Sequence, residues 1–180
     1  MIDIITNMLS MCIPFSVALL LASIGEMFNQ RAGIFNLGCE GIMAMGAFLG
    51  MLIPFAAGHG GATPQVYNLL GFITAGAAGA LLGLVFGVVT ITFRAPQGIA
   101  GIGLQMFGVG TAGTLFRHFV GGTQSIPGIP NIEIPLLSDI PFIGDVFFSH
   151  NLAAYLAYLF IPVAWYILFK TPWGLRIRAV

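Results

Sequence analysis

A chain of 180 residues that is 58% hydrophobic and only 7% charged has too little polar surface to cover a soluble core, since soluble domains carry about 25% charged residues. A mean hydropathy of +0.99 and 25 glycines instead fit packed membrane helices, so an all-α, polytopic membrane helix bundle is expected. The formal net charge is zero and no basic tract occurs, which gives no sign of a nucleic-acid partner.

A span needs about 20 mostly apolar residues, and five candidates follow in order. The N-terminus "MIDIITN" lacks a basic start, and no A-x-A-like site follows the first apolar run. That run, Met8 to Ile24 with Pro14 inside it, is therefore expected to stay as a span rather than be cleaved. The second covers Leu37 to Ala57, and a short turn from Gly58 to Gln65 leads to the third, Tyr67 to Phe93, which is long enough to tilt. The fourth, Ile99 to Phe116, starts with the glycine-rich "GIAGIGLQMFGVG" and is the candidate for a broken helix. The stretch from Gly121 to His150 holds prolines at 127, 130, 135 and 141, so no regular helix should cross it. Within it, "IPFIGDVFF" (Ile140 to Phe148) is too short to span and should lie at the interface or on helix ends. The fifth span covers Leu152 to Phe169, and "KTPWGLRIRAV" (Lys170 to Val180) follows with a turn at Pro172 and Gly174. A short arginine-bearing helix along the membrane surface is expected there. The alternating ten-residue segments of a β-barrel are absent.

Lysine and arginine set the orientation. Arg31, Arg94, Lys170, Arg176 and Arg178 fall on one side of five alternating spans, and only Arg117 falls on the other. The N-terminus is thus expected outside and the C-terminus in the cytoplasm. Gly79, Gly83 and Gly87 recur every fourth residue, as do Gly46 and Gly50. Such small-xxx-small faces let helix backbones approach, chiefly within the chain. Cys12 and Cys39 have no metal spacing and read as small buried residues.

No Walker A loop, H-E-x-x-H or G-x-S-x-G occurs, so energy for any pumping must come from another subunit or an ion gradient. His59, His118 and His150 lie in loops or at span ends and read as interface residues, not ligands. The informative stretch is "NLGCEG", Asn36 to Gly41. Asn36 can cap a helix starting near Leu37, which leaves Glu40 near the first turn, where the helix dipole favours a carboxylate. Arg31 is close enough in sequence to partner it. The competing reading is a discontinuous helix lining a polar path, with Asn36 and Glu40 facing it. Gln105, in span four, needs a partner at depth, either another helix or a hydrated cavity. Thr111 and Thr114 can bond back to their own helix. Phe48 and Phe107 offer surfaces on which a base could stack, although 16 phenylalanines blunt that signal.

These residues also carry a family resemblance. "NQRAGIFNLGCEGIMAMGAF" (Asn29 to Phe48) resembles the "ERxGxxNxGxEGxMxxGA" signature of permease subunits in nucleoside and simple-sugar ABC importers, with Gln30 departing from it. "IPFIGDVFF" followed by "AWYILFKTPWGLRIRAV" resembles the segment leading into that family's cytoplasmic coupling helix, and the similarity covers the whole chain. Such permeases are longer, so the resemblance implies an N-terminal part of one. It implies that Thr171, Pro172, Gly174, Leu175, Arg176 and Arg178 transmit the closure of a cytoplasmic ABC ATPase. It further implies a second permease subunit and an extracytoplasmic solute-binding protein, met by an outer loop bearing Glu133, Asp139 and Asp145. ATP would be used by the partner subunit, with no cofactor on this chain, in a bacterial cell membrane. Competing functions are a membrane scaffold that binds partner helices through its glycine faces, and an ion-coupled carrier or channel, for which Glu40 is the one clear intramembrane acid. An intramembrane enzyme would need a nucleophile–base pair or a metal set.

Overall fold

The computed structural model describes residues 2–58, 65–122, 129–133 and 143–179. Its elements are α1 (Ile2–Arg31), α2 (Cys39–Gly58), α3 (Gln65–Gly87), α4 (Gln97–Phe119), β1 (Asn131–Glu133), α5 (Ile143–Phe147), β2 (Ser149–Asn151), α6 (Leu152–Lys170) and α7 (Pro172–Arg178). Five helices are long and apolar enough to cross a membrane: α1, α2, α3 with its continuation, α4 and α6. The fold is all-α and polytopic, apart from one three-residue strand pair among the described residues. Contacts divide the chain into two compact units, one of residues 1–33 with 129–180 and one of 34–128.

In the first unit, α1 runs well beyond the apolar stretch that marks it in the sequence. Its polar end stays helical because Glu26 accepts hydrogen bonds from Asn29 Nδ2 (3.2 Å) and Gln30 Nε2 (3.5 Å), the spacing at which helix side chains meet. Pro14 is carried inside the helix, and nearby Ser16 Oγ donates to the Ile13 carbonyl oxygen at 2.8 Å. The core lies between α1 and α6. Val17 packs with Ala154 and Ala157, flanked by Ile13, Leu20 and Leu21. The alanines let the two backbones approach. Farther along both helices, the Arg31 guanidinium lies 5.6 Å from the Phe169 ring centroid. α1 and α6 therefore run in the same direction.

Asn151 caps α6, its Oδ1 accepting from the Ala154 N–H at 3.1 Å. Ahead of it, β1 and β2 pair antiparallel, Ile132 opposite His150, a feature too short to leave a pattern in the sequence. His150 is 2% exposed, and its Nε2 lies 2.7 Å from the Val146 carbonyl oxygen. It locks α5 to the start of α6.

In the second unit, α2 and α3 are antiparallel. Gly79 sits by Ile42, Gly46 by Ala75, and Gly50 by Gly71. A Cβ on Gly71 would overlap the Gly50 carbonyl oxygen, so this crossing requires glycine. Gly83 and Gly87 were expected to extend the seam. A Cβ on either would meet nothing within 4 Å, because the antiparallel register that sets Gly79 by Ile42 carries them past the start of α2 at Cys39. α3 ends in a π-helical turn, Val88–Thr92, and Ala95 N–H closes it onto the Val89 carbonyl oxygen at 3.2 Å. Arg94 there has φ +53°, a left-handed conformation that costs a non-glycine residue about 1–2 kcal/mol.

The cysteines differ from expectation. Cys12 is exposed and Cys39 half-buried. His118 packs edge-on to Phe119 at 5.1 Å, and His59 lies outside the described residues. Among the described residues, no three His, Cys, Asp or Glu gather as a metal site.

Candidate functional site

The polar residues of the second unit collect where α2 begins against α4. α4 is continuous from Gln97 to Phe119, so the break expected in its glycine-rich start does not occur there. Its glycines instead serve a close helix crossing. A Cβ on Gly101 would lie 2.8 Å from Leu37 N, one on Gly41 would lie 2.6 Å from Gln105 Cα, and one on Gly108 would overlap the Gly41 carbonyl group. These positions climb both helices together, so α2 and α4 are parallel.

The break lies ahead of α2. Ile34 to Asn36 is non-helical, and α2 starts at Cys39, two residues later than Leu37. Gly38 packs against Gly101 and Leu104. The start of α2 therefore sits roughly 6 Å along α4 from its first residue, at 1.5 Å per residue. Non-helical backbone beside a spanning helix must find hydrogen-bond partners in protein or in a watered cavity. Side-chain amides supply them here. Phe35 N–H donates to Gln97 Oε1 at 2.8 Å. Gly38 N–H donates to Asn36 Oδ1 at 2.8 Å, an Asx turn that leads into α2. Asn36 is 8% exposed.

Glu40 lies in the first turn of α2, and its Oε2 accepts from Gln105 Nε2 at 2.5 Å. Gln105 thus finds its partner on another helix, while Arg31 faces Phe169 rather than a carboxylate. Glu40 is exposed and Gln105 half-buried, so a charge-assisted pair sits at the crossing with one edge open. Two turns on, Thr111 Oγ1 lies 3.2 Å from Met45 Sδ and bonds back to the Phe107 carbonyl oxygen. Thr114 bonds back to Gly110. Phe48 is 5% exposed and packs into the unit, so it offers no free ring, whereas Phe107 is 55% exposed. Gln97 was not singled out by sequence. Its signal was a polar residue just after Pro96, at the start of an apolar helix.

The second group of residues forms α7. Thr171 caps it, Oγ1 accepting from Gly174 N–H at 3.3 Å, and Pro172 opens it. Thr171 Oγ1 also donates to the Ile167 carbonyl oxygen. A Cβ on Gly174 would overlap the carbonyl oxygens of Ile167 and Leu168. Glycine thus lets α7 fold tightly back on the end of α6. Leu175 is 64% exposed, and Arg176 is exposed as well. Arg178 closes α7. Of the acidic residues assigned to the outer loop, Glu133 falls in β1 and Asp145 in α5, and Asp139 lies outside the described residues.

The chain is 36% identical to a guanosine ABC transporter permease protein, NupQ, of Bacillus subtilis, over 98% of this chain and 57% of that protein. It is 36% identical to a nucleoside ABC transporter permease protein, NupC, of Lactococcus lactis, over 98% of this chain and 55% of that protein. A permease protein named for glucose ABC transport, TsgC13 of Haloferax volcanii, is 33% identical over 97% of this chain and 51% of its own length. The chain thus spans about half the length of the curated relatives it matches. No solved structure matches it. The family described as branched-chain amino acid transport system / permease component matches residues 8–180, and the chain belongs to that family.

Proposed function

We propose that this chain forms part of the solute path of an ATP-driven importer for nucleosides. The single observation that carries the reading is its alignment, along nearly all its length, with permeases named for guanosine and nucleosides. The relative named for glucose keeps simple sugars as the second solute class. The broken start of α2 is the candidate wall of the path. Glu40 and Gln105 present a carboxylate oxygen and amide groups at one edge of the crossing, which suits an uncharged solute rich in N–H and O–H groups. Asn36 holds the break open from within. α7 is the candidate contact for a separate cytoplasmic ABC ATPase, with Leu175 and Arg176 among its exposed residues. A second permease subunit and an extracytoplasmic binding protein complete the assembly in the cell membrane.

The test uses the full-length permease with its partner ATPase and binding protein in proteoliposomes. ATP-dependent accumulation of labelled nucleoside is expected. Arg176→Glu with Arg178→Glu should abolish it while membrane insertion stays intact. Glucose uptake in place of nucleoside uptake would move the solute class to sugars. Accumulation of neither would overturn the importer reading, and unchanged uptake by the double variant would remove the coupling role from α7.

A further inference from the structure

At one end of the first unit, four side chains form a continuous chain: a cation, two rings and a second cation. The Arg31 guanidinium lies 5.6 Å from the Phe169 ring. Phe169 and Trp165 are neighbours, with ring centroids 6.3 Å apart and planes tilted by 33°. The Lys170 ammonium lies 5.7 Å from the Trp165 ring. Both cations close the last turn of a spanning helix, α1 and α6 respectively. Trp165 and Phe169 remain 53% and 40% exposed. Among the described residues, neither cation makes an ion pair with a carboxylate.

Helix dipoles account for a cation in each last turn, and a general preference for basic residues at membrane boundaries accounts for their number. Neither accounts for two cations from separate helices held on one aromatic platform. A ring face attracts a cation without neutralising it, so both charges stay available to an anion. Their depth narrows the choice of anion. They stand where the candidate spanning helices end, the position at which basic and aromatic side chains meet lipid headgroups, and the rings beside them are exposed.

We infer that Arg31, Phe169, Trp165 and Lys170 form a binding site for an anionic phospholipid. The phosphate would lie between the two cations and the acyl chains along the rings of α6. The inference rests on the membrane reading alone and does not require the importer reading.

The full-length permease, purified in mild detergent, would be offered mixed phosphatidylglycerol and phosphatidylcholine, and retained lipid read by native mass spectrometry. Preferential retention of phosphatidylglycerol is expected. Arg31→Gln with Lys170→Gln should weaken that preference about thirtyfold, the factor for two cations at a charged lipid surface. Arg117→Gln should leave it unchanged. The core of α1 and α6 lies away from these residues, so the double variant should fold. Should it not, the preference of the unaltered protein must still decline as ionic strength rises. Equal retention of both lipids, a preference indifferent to salt, or an undiminished preference in the double variant would each overturn the site. A double variant that keeps its lipid but no longer binds the ATPase would assign the cations to the protein partner instead.

Discussion

Glu40 illustrates how a carboxylate is held beside an apolar helix. Its charge is placed at the positive end of α2, and Gln105 Nε2 donates to it at 2.5 Å. A hydrogen bond to a charged group contributes about 1.5–3 kcal/mol, roughly twice a neutral one. Glu40→Gln keeps the shape and removes the charge. If the open edge of the pair meets solute, uptake by the full transporter should fall about tenfold, equivalent to roughly 1.4 kcal/mol, even at temperatures where the variant stays folded. A variant that loses stability but transports normally would assign Glu40 to the helix start alone. Gln105→Leu is the harsher change, since it strands the carboxylate beside apolar surface. Sequence could name Asn36, Glu40 and Gln105, because polar residues stand out against an apolar background. It could not pair them. Sixty-five positions separate Glu40 from Gln105, and Arg31, nearer in sequence, turns to an aromatic ring instead.

Glycines govern the elements, and here sequence spacing was only partly legible. A four-residue period shows that glycines share a face, but not that another helix meets that face. Gly46 and Gly50 do lie against α3, whereas Gly83 and Gly87 look onto open space. The crossing of α2 with α4 uses Gly41 with Gly108 and Gly38 with Gly101, positions three residues apart on one side and seven on the other. The same glycine-rich start suggested a broken fourth span, because glycine is a poor helix former in isolation. Packing against α2 reverses that tendency. Gly108→Ala and Gly110→Ala make a matched test on nearly opposite faces of α4. The first places a methyl group on the Gly41 backbone, which must shift at a cost of about 1–3 kcal/mol. The second meets nothing within 4 Å and replaces a poor helix former with a good one. The melting temperature of the full-length protein in detergent should fall for Gly108→Ala and hold or rise for Gly110→Ala. Equal effects would mean that the crossing does not determine stability.

For the whole molecule, both units give a directional check on the spans. α1 and α6 run together in one unit, and α2 and α4 run together in the other, with α3 antiparallel to α2. Five spans that alternate across a bilayer require these relations. The cations follow the same order within each unit. Arg31 and Lys170 share one end of the first, through Phe169 and Trp165. In the second, Arg94 immediately precedes the end of α4 that binds Phe35, and Arg117 lies in the last turn of α4 at the opposite end. We propose from the excess of basic residues at these ends that the N-terminus lies outside and α7 in the cytoplasm, on the side an ATPase would occupy. Reporter fusions test this directly. An alkaline phosphatase joined after Gly121 should be active, and one joined after Arg94 or Ala179 should be inactive, with a fluorescent protein giving the reverse pattern. Activity after Ala179 would place α7 on the outer side, and ATPase coupling through it would then be physically impossible.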